Sequence, residues 1–368
     1  MTKANLMLLL ALLAALRSFV SLRRTKGVQF YYEDCGAPPN ATEYTTLVIV
    51  HGTSYHSAVF HKLVALATQY NLRIVLVNRQ DYPGTTPSTP EELGKVRSAS
   101  KEDQADIIQD LGIGLAAFLA WYIRTTAIPA IGEDGAPGGL AVLAWSSANA
   151  TGLSVVANLD LMPDEDKNLF RDYFRTYIVY DSPPYIFGYP VNQEIYHPLR
   201  DMSIPTLEDR VALFNVWITS YYQHPDLASR AFSGLTPNPP SDPPPNKKPT
   251  LYRFTQAELQ ALTFPEALTR VDGQLRFVNT DVYKDNARKV WFDEGHAKMF
   301  PRLKMKLIWC EESILEMPYG AWRIGADVEK FLESGGKGRS LEMHSLAGNH
   351  FAHWDRPAET MELFASLA

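Results

Sequence analysis

The sequence predicts an α/β protein, a mostly parallel sheet with helices on both faces. Three observations carry this. Short, continuous apolar runs recur along the chain: TTLVIVHG, LRIVLVNR, LAVLAW, YIVYD and MKLIWC. Such runs are expected of strands buried on both faces. Segments of helical pattern separate them, giving a βαβ rhythm. Clusters of Gly, Pro, Asp and Asn close the runs.

In chain order, GVQFYYED, Gly27 to Asp34, is a strand of aromatic and β-branched residues. TTLVIVHG is a buried strand ending in His51-Gly52, and Phe60 to Tyr70 is helical in pattern. LRIVLVNR is a second buried strand that feeds the turn-rich DYPGTTPSTP. Lys101 to Thr125 forms a long helix with an acidic first turn. IGEDGAPGG is a loop, and Leu140 to Asn158 is a strand that becomes a helix. YIVYDSPP is a strand ending in an acid and two prolines.

From Tyr185 to Phe300 the rhythm fails. This part is rich in Tyr, Phe and Pro, with a helical middle from Leu207 to Tyr222. It contains PNPPSDPPPNKKP, residues 237–249, where proline density forbids a helix or a central strand. The sheet pattern resumes at MKLIWC, Met305 to Cys310, followed by a helix, SLEMHSLAGNH and a last helix from Ala358. The expected organisation is a core of residues 25–184 and 301–368, with an inserted cap at 185–300. An insertion late in such a sheet lies over the strand ends, where α/β sheets bind ligands.

The 368 residues are 46% hydrophobic and 21% charged, as in ordinary globular proteins. A net charge of −6 speaks against a nucleic-acid partner. Cys35 and Cys310 are too few for a disulfide framework, and neither stands near a ligand cluster, so no metal is expected. No G-x-G-x-x-G follows a strand, so no dinucleotide cofactor is expected either. The segment 1–24 reads as a signal, a membrane anchor or a packed helix. Its apolar run from Leu6 to Leu16 is short for a span, but a snorkelling Arg17 extends it to Leu22. This leans toward the secretory pathway or membrane association through residues 1–22, with a cytoplasmic location as the alternative. Asn40-Ala41-Thr42 is a glycosylation sequon in the first case.

Three places carry chemistry. In VLAWSSANA, Ser146 stands where a buried strand turns into a helix, with Ala144 and Ala148 two residues to either side. A strained turn that exposes a serine hydroxyl demands small residues at those positions. A nucleophilic serine also needs a histidine to take its proton and an acid to orient that histidine. VIVHGTS supplies the backbone N–H of Thr53 beside that of Ser147, a pair able to cradle an oxyanion. LAGNHFAHWDRP places His350 between the last strand and the last helix. Of its competitors, His344 falls inside the strand and His353 on a surface turn. Trp145 packs behind the turn, and Asp34, Asp106 and Asp110 are solvated or capping residues.

With VIVHGT, VLVNRQDYPGTTP, VLAWSSA, YIVYDSPP, LIWCEES and GNHFAHWDRP in this order, the chain resembles the α/β-hydrolase superfamily over nearly its whole length. It looks closest to fungal members with an N-R-x-D-Y-P-G turn, here Asn78 to Gly84. The resemblance implies an eight-stranded, mostly parallel sheet with a cap, and hydrolysis of an ester, lactone or related bond without cofactor or metal. It implies Ser146 as nucleophile and His350 as base. The usual acid position after the seventh strand holds Ser313, so the acid is either Asp181, after the sixth strand, or Glu312, one residue out of register. Asp181 is favoured. A cap rich in Tyr, Phe, Leu and Trp points to an apolar small-molecule ester or lactone. The alternative is a non-hydrolytic relative, an isomerase or cyclase, or an inactive small-molecule binding protein.

Overall fold

The computed structural model describes residues 17–21, 27–190 and 195–368. Its strands are β1 (Arg17–Ser21), β2 (Gln29–Asp34), β3 (Thr45–Val50), β4 (Leu72–Val77), β5 (Leu140–Trp145), β6 (Phe174–Tyr180), β7 (Lys304–Cys310) and β8 (Leu341–Leu346). They lie side by side in the order β1-β2-β4-β3-β5-β6-β7-β8. From β4 to β8 every pairing is parallel, and β2 joins antiparallel. All six residues of β3 and of β5 are buried, because helices cover both faces of the sheet.

The N-terminal segment differs from its expected form. Arg17–Ser21 is not helical but an edge strand, paired antiparallel with β2. Its RSFVS sequence mixes aromatic and β-branched residues, and the open edge of β2 offers it backbone partners. The sheet therefore has eight strands only when this edge strand is counted; the rest of the chain supplies seven. The remainder of the expected signal or anchor, residues 1–16 and 22–24, lies outside the described residues.

The apolar core divides across the sheet. On one face, helix Lys101–Thr126 packs with helix Asn149–Ala157. A Cβ on Gly112 would lie 2.7 Å from the backbone carbon of Ser154, so only glycine allows the two helices this approach. On the other face, Pro357–Leu367 packs beside residues 61–64 and 67–70 and sets Phe364 against Tyr180 of β6, in a core that includes Phe60 and Trp354. Phe60 to Tyr70 is not one helix but three short turns, Ser57–Phe60, His61–Val64 and Ala67–Tyr70. Asp34 is not solvated: it accepts from Arg73 Nε at 2.9 Å, Arg73 Nη2 at 2.6 Å and the Tyr122 hydroxyl at 2.8 Å.

Between β6 and β7 the chain leaves the sheet for helices Leu207–Thr219, Gln256–Leu262, Val271–Gln274 and Thr280–Trp291 with loops between them. The proline-rich stretch is irregular, with bends at 237–238 and 241–242 and one short helical turn, Pro245–Lys247. It is fastened by an ion pair from Lys247 to Glu312, in the turn after β7. Since β3, β5, β6 and β7 run parallel, their carboxyl ends converge on one rim, and the insert leaves and returns at that sheet.

Candidate active site

β5 ends at Trp145 and the chain turns through Ser146–Ala148 into helix Asn149–Ala157. Ser146 has φ of +56°. That left-handed conformation costs a non-glycine residue roughly 1–3 kcal/mol and persists only where the surroundings enforce it. They do so here. Asn149 Nδ2 donates to the carbonyls of Ala144 at 2.8 Å and Ser146 at 3.0 Å, and its Oδ1 accepts from the Tyr177 hydroxyl at 2.8 Å. The end of β3 presses in from the side: a Cβ on Gly52 would come 3.0 Å from Ser146 Cβ and 3.1 Å from the Trp145 ring. Ala144 and Ala148 are fully buried, which is why neither is larger.

His350 follows β8 on a loop held from two directions. The Trp145 indole N–H donates to the His350 carbonyl at 3.2 Å, with ring centroids 4.8 Å apart, tying the loop to the serine turn. Asn349 Nδ2 donates to the Thr219 carbonyl at 2.6 Å and Thr250 Oγ1 at 2.9 Å, tying it to the insert.

Asp181 is the carboxylate that meets this imidazole. It follows β6 with φ of +44°, fully buried, and its Oδ2 lies 2.6 Å from His350 Nδ1. The same oxygen accepts from the Ser313 hydroxyl at 2.6 Å, and Oδ1 accepts from the Cys310 N–H at 2.8 Å. A carboxylate only accepts, so Nδ1 carries the proton and Nε2 is left with its lone pair. Among the described residues no group hydrogen-bonds His350 Nε2, and none hydrogen-bonds the Ser146 hydroxyl. Glu312 does not reach the imidazole. Its carboxylate turns outward to Lys247, while its backbone N–H donates to Gly348 at 2.8 Å. The turn is closed by the Ser313 N–H on the Cys310 carbonyl at 3.2 Å, which aims Ser313 rather than Glu312 at Asp181.

His353 is not on the surface but fully buried. Its ring stacks on Phe60 at 4.4 Å and meets Trp145 edge-on at 4.7 Å. Residues three apart on a helical turn share a side, so the turn Ala352–Asp355 that follows His350 sends both rings inward. Burial and the neighbouring His350 push the His353 pKa well below the usual histidine range.

Thr53 and Ser147 lie together: their hydroxyl oxygens are 2.6 Å apart, and both residues line one cavity with Ser146. The peptide before Thr53 is clamped. The Gly52 carbonyl accepts from Arg79 Nη2 at 2.9 Å and from His51 Nδ1 at 2.9 Å, while His51 Nε2 accepts the Arg79 N–H at 3.0 Å. Burial, then Arg79, hold His51 neutral, with its pKa well below the usual range. In a trans peptide the C=O and N–H point opposite ways, so fixing this carbonyl fixes the Thr53 N–H. The Ser147 N–H sits in the first turn of a helix, where backbone donors lack an intrahelical acceptor.

No protein-family model matches the sequence, and no curated protein matches it either. Solved structures do. An esterase from Exiguobacterium antarcticum superposes with a TM-score of 0.52 at 10% identity, covering 95% of this chain and 98% of its own. A protein from Burkholderia cenocepacia solved as a putative aryl esterase gives 0.52 at 13% identity over 95% and 97%. A bromoperoxidase from Bacillus anthracis gives 0.51 at 11% identity over 95% and 99%. The chain has the α/β-hydrolase fold.

Within this fold the N-R-x-D-Y-P-G turn locks the insert to the core, a role the sequence did not reveal. Arg79 Nη2 donates to Asp272 Oδ1 at 2.5 Å and the Tyr82 hydroxyl to Asp272 Oδ2 at 2.8 Å, both buried. Tyr82 also accepts the Ser54 N–H at 2.8 Å, and Asp81 accepts from Arg270 Nε at 2.6 Å. The dense polar composition of Asn78 to Gly84 is the only sequence signal for this network; its partners lie roughly 190 residues away. The cavity beside Ser146 holds about 70 Å³. Its walls are mainly apolar, including Phe214, Trp217, Ile218, Ile314 and Met317. A cavity of about 140 Å³ against helix Lys101–Thr126 shares Asp272 with it and is lined also by Arg79, but touches neither Ser146 nor His350. Among the described residues no cluster of three or more His, Cys, Asp or Glu is placed to hold a metal.

Proposed function

We propose that this protein is a serine hydrolase that cleaves a carboxylic ester or lactone of a small molecule with an apolar part. The observation that carries the proposal is the 2.6 Å bond from His350 to Asp181, on a loop anchored to the strained turn that bears Ser146. Ser146 Oγ attacks the acyl carbon and His350 Nε2 takes its proton. Asp181 holds the ring in the tautomer that leaves Nε2 basic and stabilises the imidazolium once it forms. The N–H groups of Thr53 and Ser147 receive the oxyanion. Collapse expels the alcohol, protonated by His350. Water, activated by the same imidazole, then releases the acid from the acyl-enzyme.

In the free protein the serine–histidine bond is not yet made, and such contacts tighten when substrate binds. The solved esterases of the same fold support ester hydrolysis as the class of reaction. The mainly apolar cavity walls support an apolar portion in the substrate, and residues 185–300 act as the cap over it. Labelling by a fluorophosphonate probe, together with turnover of p-nitrophenyl esters, tests the proposal. Both are expected in the parent protein and absent in Ser146→Ala. A parent protein that neither labels nor turns over any ester sinks the hydrolase and leaves the binding protein.

A further inference from the structure

The cavity has a polar pole that the hydrolytic steps do not use. His197 is 6% exposed and lines the cavity, and its Nδ1 is buried without a hydrogen-bond partner among the described residues. The buried Tyr185 lines the same cavity, and its hydroxyl has no hydrogen-bond partner among the described residues. Arg276 completes the group. Its Nη2 donates to Glu316 at 2.8 Å, its guanidinium lies 5.7 Å from the centre of the Tyr185 ring, and its Nε–H is buried without an acceptor.

An unsatisfied buried polar group costs roughly 1–3 kcal/mol, so the His197 Nδ1 and the Arg276 Nε–H, with Tyr185 on the same cavity, call for a partner that fills it. The kind of partner follows from the donors and acceptors. Burial, then Arg276 and Arg200, push the His197 pKa well below the usual range, so its ring is neutral, with one donor and one acceptor. The Tyr185 hydroxyl offers both, and the Arg276 Nε–H donates. Arg276 is paired with Glu316 and Asp272 with Arg79, and Arg200, the remaining charged group on the lining, is engaged by the Ile195 carbonyl and a further interaction, which favours a neutral oxygen over an ion. Size sets the second limit. The cavity of about 70 Å³ is half of the roughly 150 Å³ that accommodates benzene. Next to the polar pole stand Phe214 and Trp217, whose ring centroids lie 5.7 and 4.9 Å from that of His197.

We infer that the site selects short acyl groups that carry their own neutral oxygen, hydroxy- or keto-acyl esters, with His197 and Tyr185 reading that oxygen. The word ester rests on the hydrolase proposal; the recognition is binding chemistry and is tested without turnover. In the full-length Ser146→Ala protein, ligand-observed NMR compares ethyl 3-hydroxybutyrate with ethyl butyrate. The hydroxy ester is expected to bind at least tenfold more tightly. His197→Phe should bring the two esters within about twofold of each other, and Tyr185→Phe should reduce the preference severalfold. His197→Asn, which retains a donor and an acceptor, should keep part of it and serves if the Phe variant does not fold. Equal binding of the two esters, binding of neither, or a preference that survives the double Phe variant overturns the inference. A hydroxy preference in a protein whose Ser146 never labels leaves the recognition standing and removes the hydrolase. Labelling and turnover with no preference does the reverse.

Discussion

The two walls of the cavity are built differently. On the core wall, the parts that position Ser146, Ser147 and Thr53 are braced from strand ends: Asn149 under the serine turn, Asp181 and Ser313 behind the imidazole, Arg79 and His51 on the Gly52 carbonyl. On the insert wall, His197 and Tyr185 line the same space, the His197 Nδ1 and the Tyr185 hydroxyl without a hydrogen-bond partner among the described residues. Bracing is what a reacting group needs, since a small misplacement is costly in rate. An unmatched donor is what a selecting group needs, since the ligand completes it. Under the proposed function, the contrast places the chemistry on the core and the choice of substrate on the insert.

The sharpest way to break that division is at the acid. Asp181→Asn should lower kcat by about 10⁴-fold, because the amide no longer enforces the productive imidazole tautomer. Steady-state kinetics on a p-nitrophenyl ester reads it, and a loss confined to KM would place Asp181 outside the catalytic set. Next is the lock between the walls. Asp272→Asn leaves the buried Arg79 charge unpaired, which costs about 3–5 kcal/mol. Urea denaturation measures it, and an unchanged midpoint would mean that the insert is not clamped through this pair. Ser313→Ala removes a hydrogen bond to a buried carboxylate worth about 1.5–3 kcal/mol. A fall in kcat of about tenfold or more, with KM unchanged, is expected; an equal loss in a substrate-independent stability assay with normal kcat would make Ser313 merely structural.

Smaller effects come from titration. His51, His197 and His353 are held neutral by burial, and His296 is lowered to about 4, first by burial and then by Arg339. Their folded pKa values lie below the unfolded value of about 6.5, so the unfolded chain binds more protons beneath that pH. Stability is therefore complete above about pH 6.5 and falls as the solution is acidified. Each histidine contributes up to about 1.4 kcal/mol per pH unit until its folded pKa is reached. Thermal unfolding across pH 7.5 to 4.5 should show this, and His353→Phe should flatten the slope. The smallest effect is at Glu312, where the ion pair with Lys247 is partly exposed and worth at most about 1 kcal/mol. Glu312→Gln should leave kcat within about twofold, and a collapse of activity would transfer the acid role to it.

Much of the core wall was legible in the sequence. The apolar runs marked β3 to β7, the alanines around Ser146 marked the turn, and the choice between Asp181 and Glu312 was already narrowed to two residues. Local rules reach this far because a strand buried on both faces and a crowded turn leave little freedom in composition. They fail at distance. His353 looked like a surface residue because a lone histidine in a turn carries no sign of the Phe60 and Trp145 rings that enclose it. The strand pairing of residues 17–21 had no local sign either, because the open edge of β2 that receives them lies outside their own sequence.

The sequence by itself determined the alternation of strand and helix, the order of serine, acid and histidine, and the short residues that the serine turn tolerates. Those depend on neighbours within a few positions, which hydrophobic period and turn chemistry encode directly. The tertiary structure alone decided which carboxylate meets His350, that Asp272 clamps Arg79, and that His197 and Tyr185 look into one cavity. The first two join residues 169 and 193 positions apart, and the third brings a pair from the insert onto the same space as Ser146; no local preference fixes such meetings, and the packing of the whole sheet and its insert does.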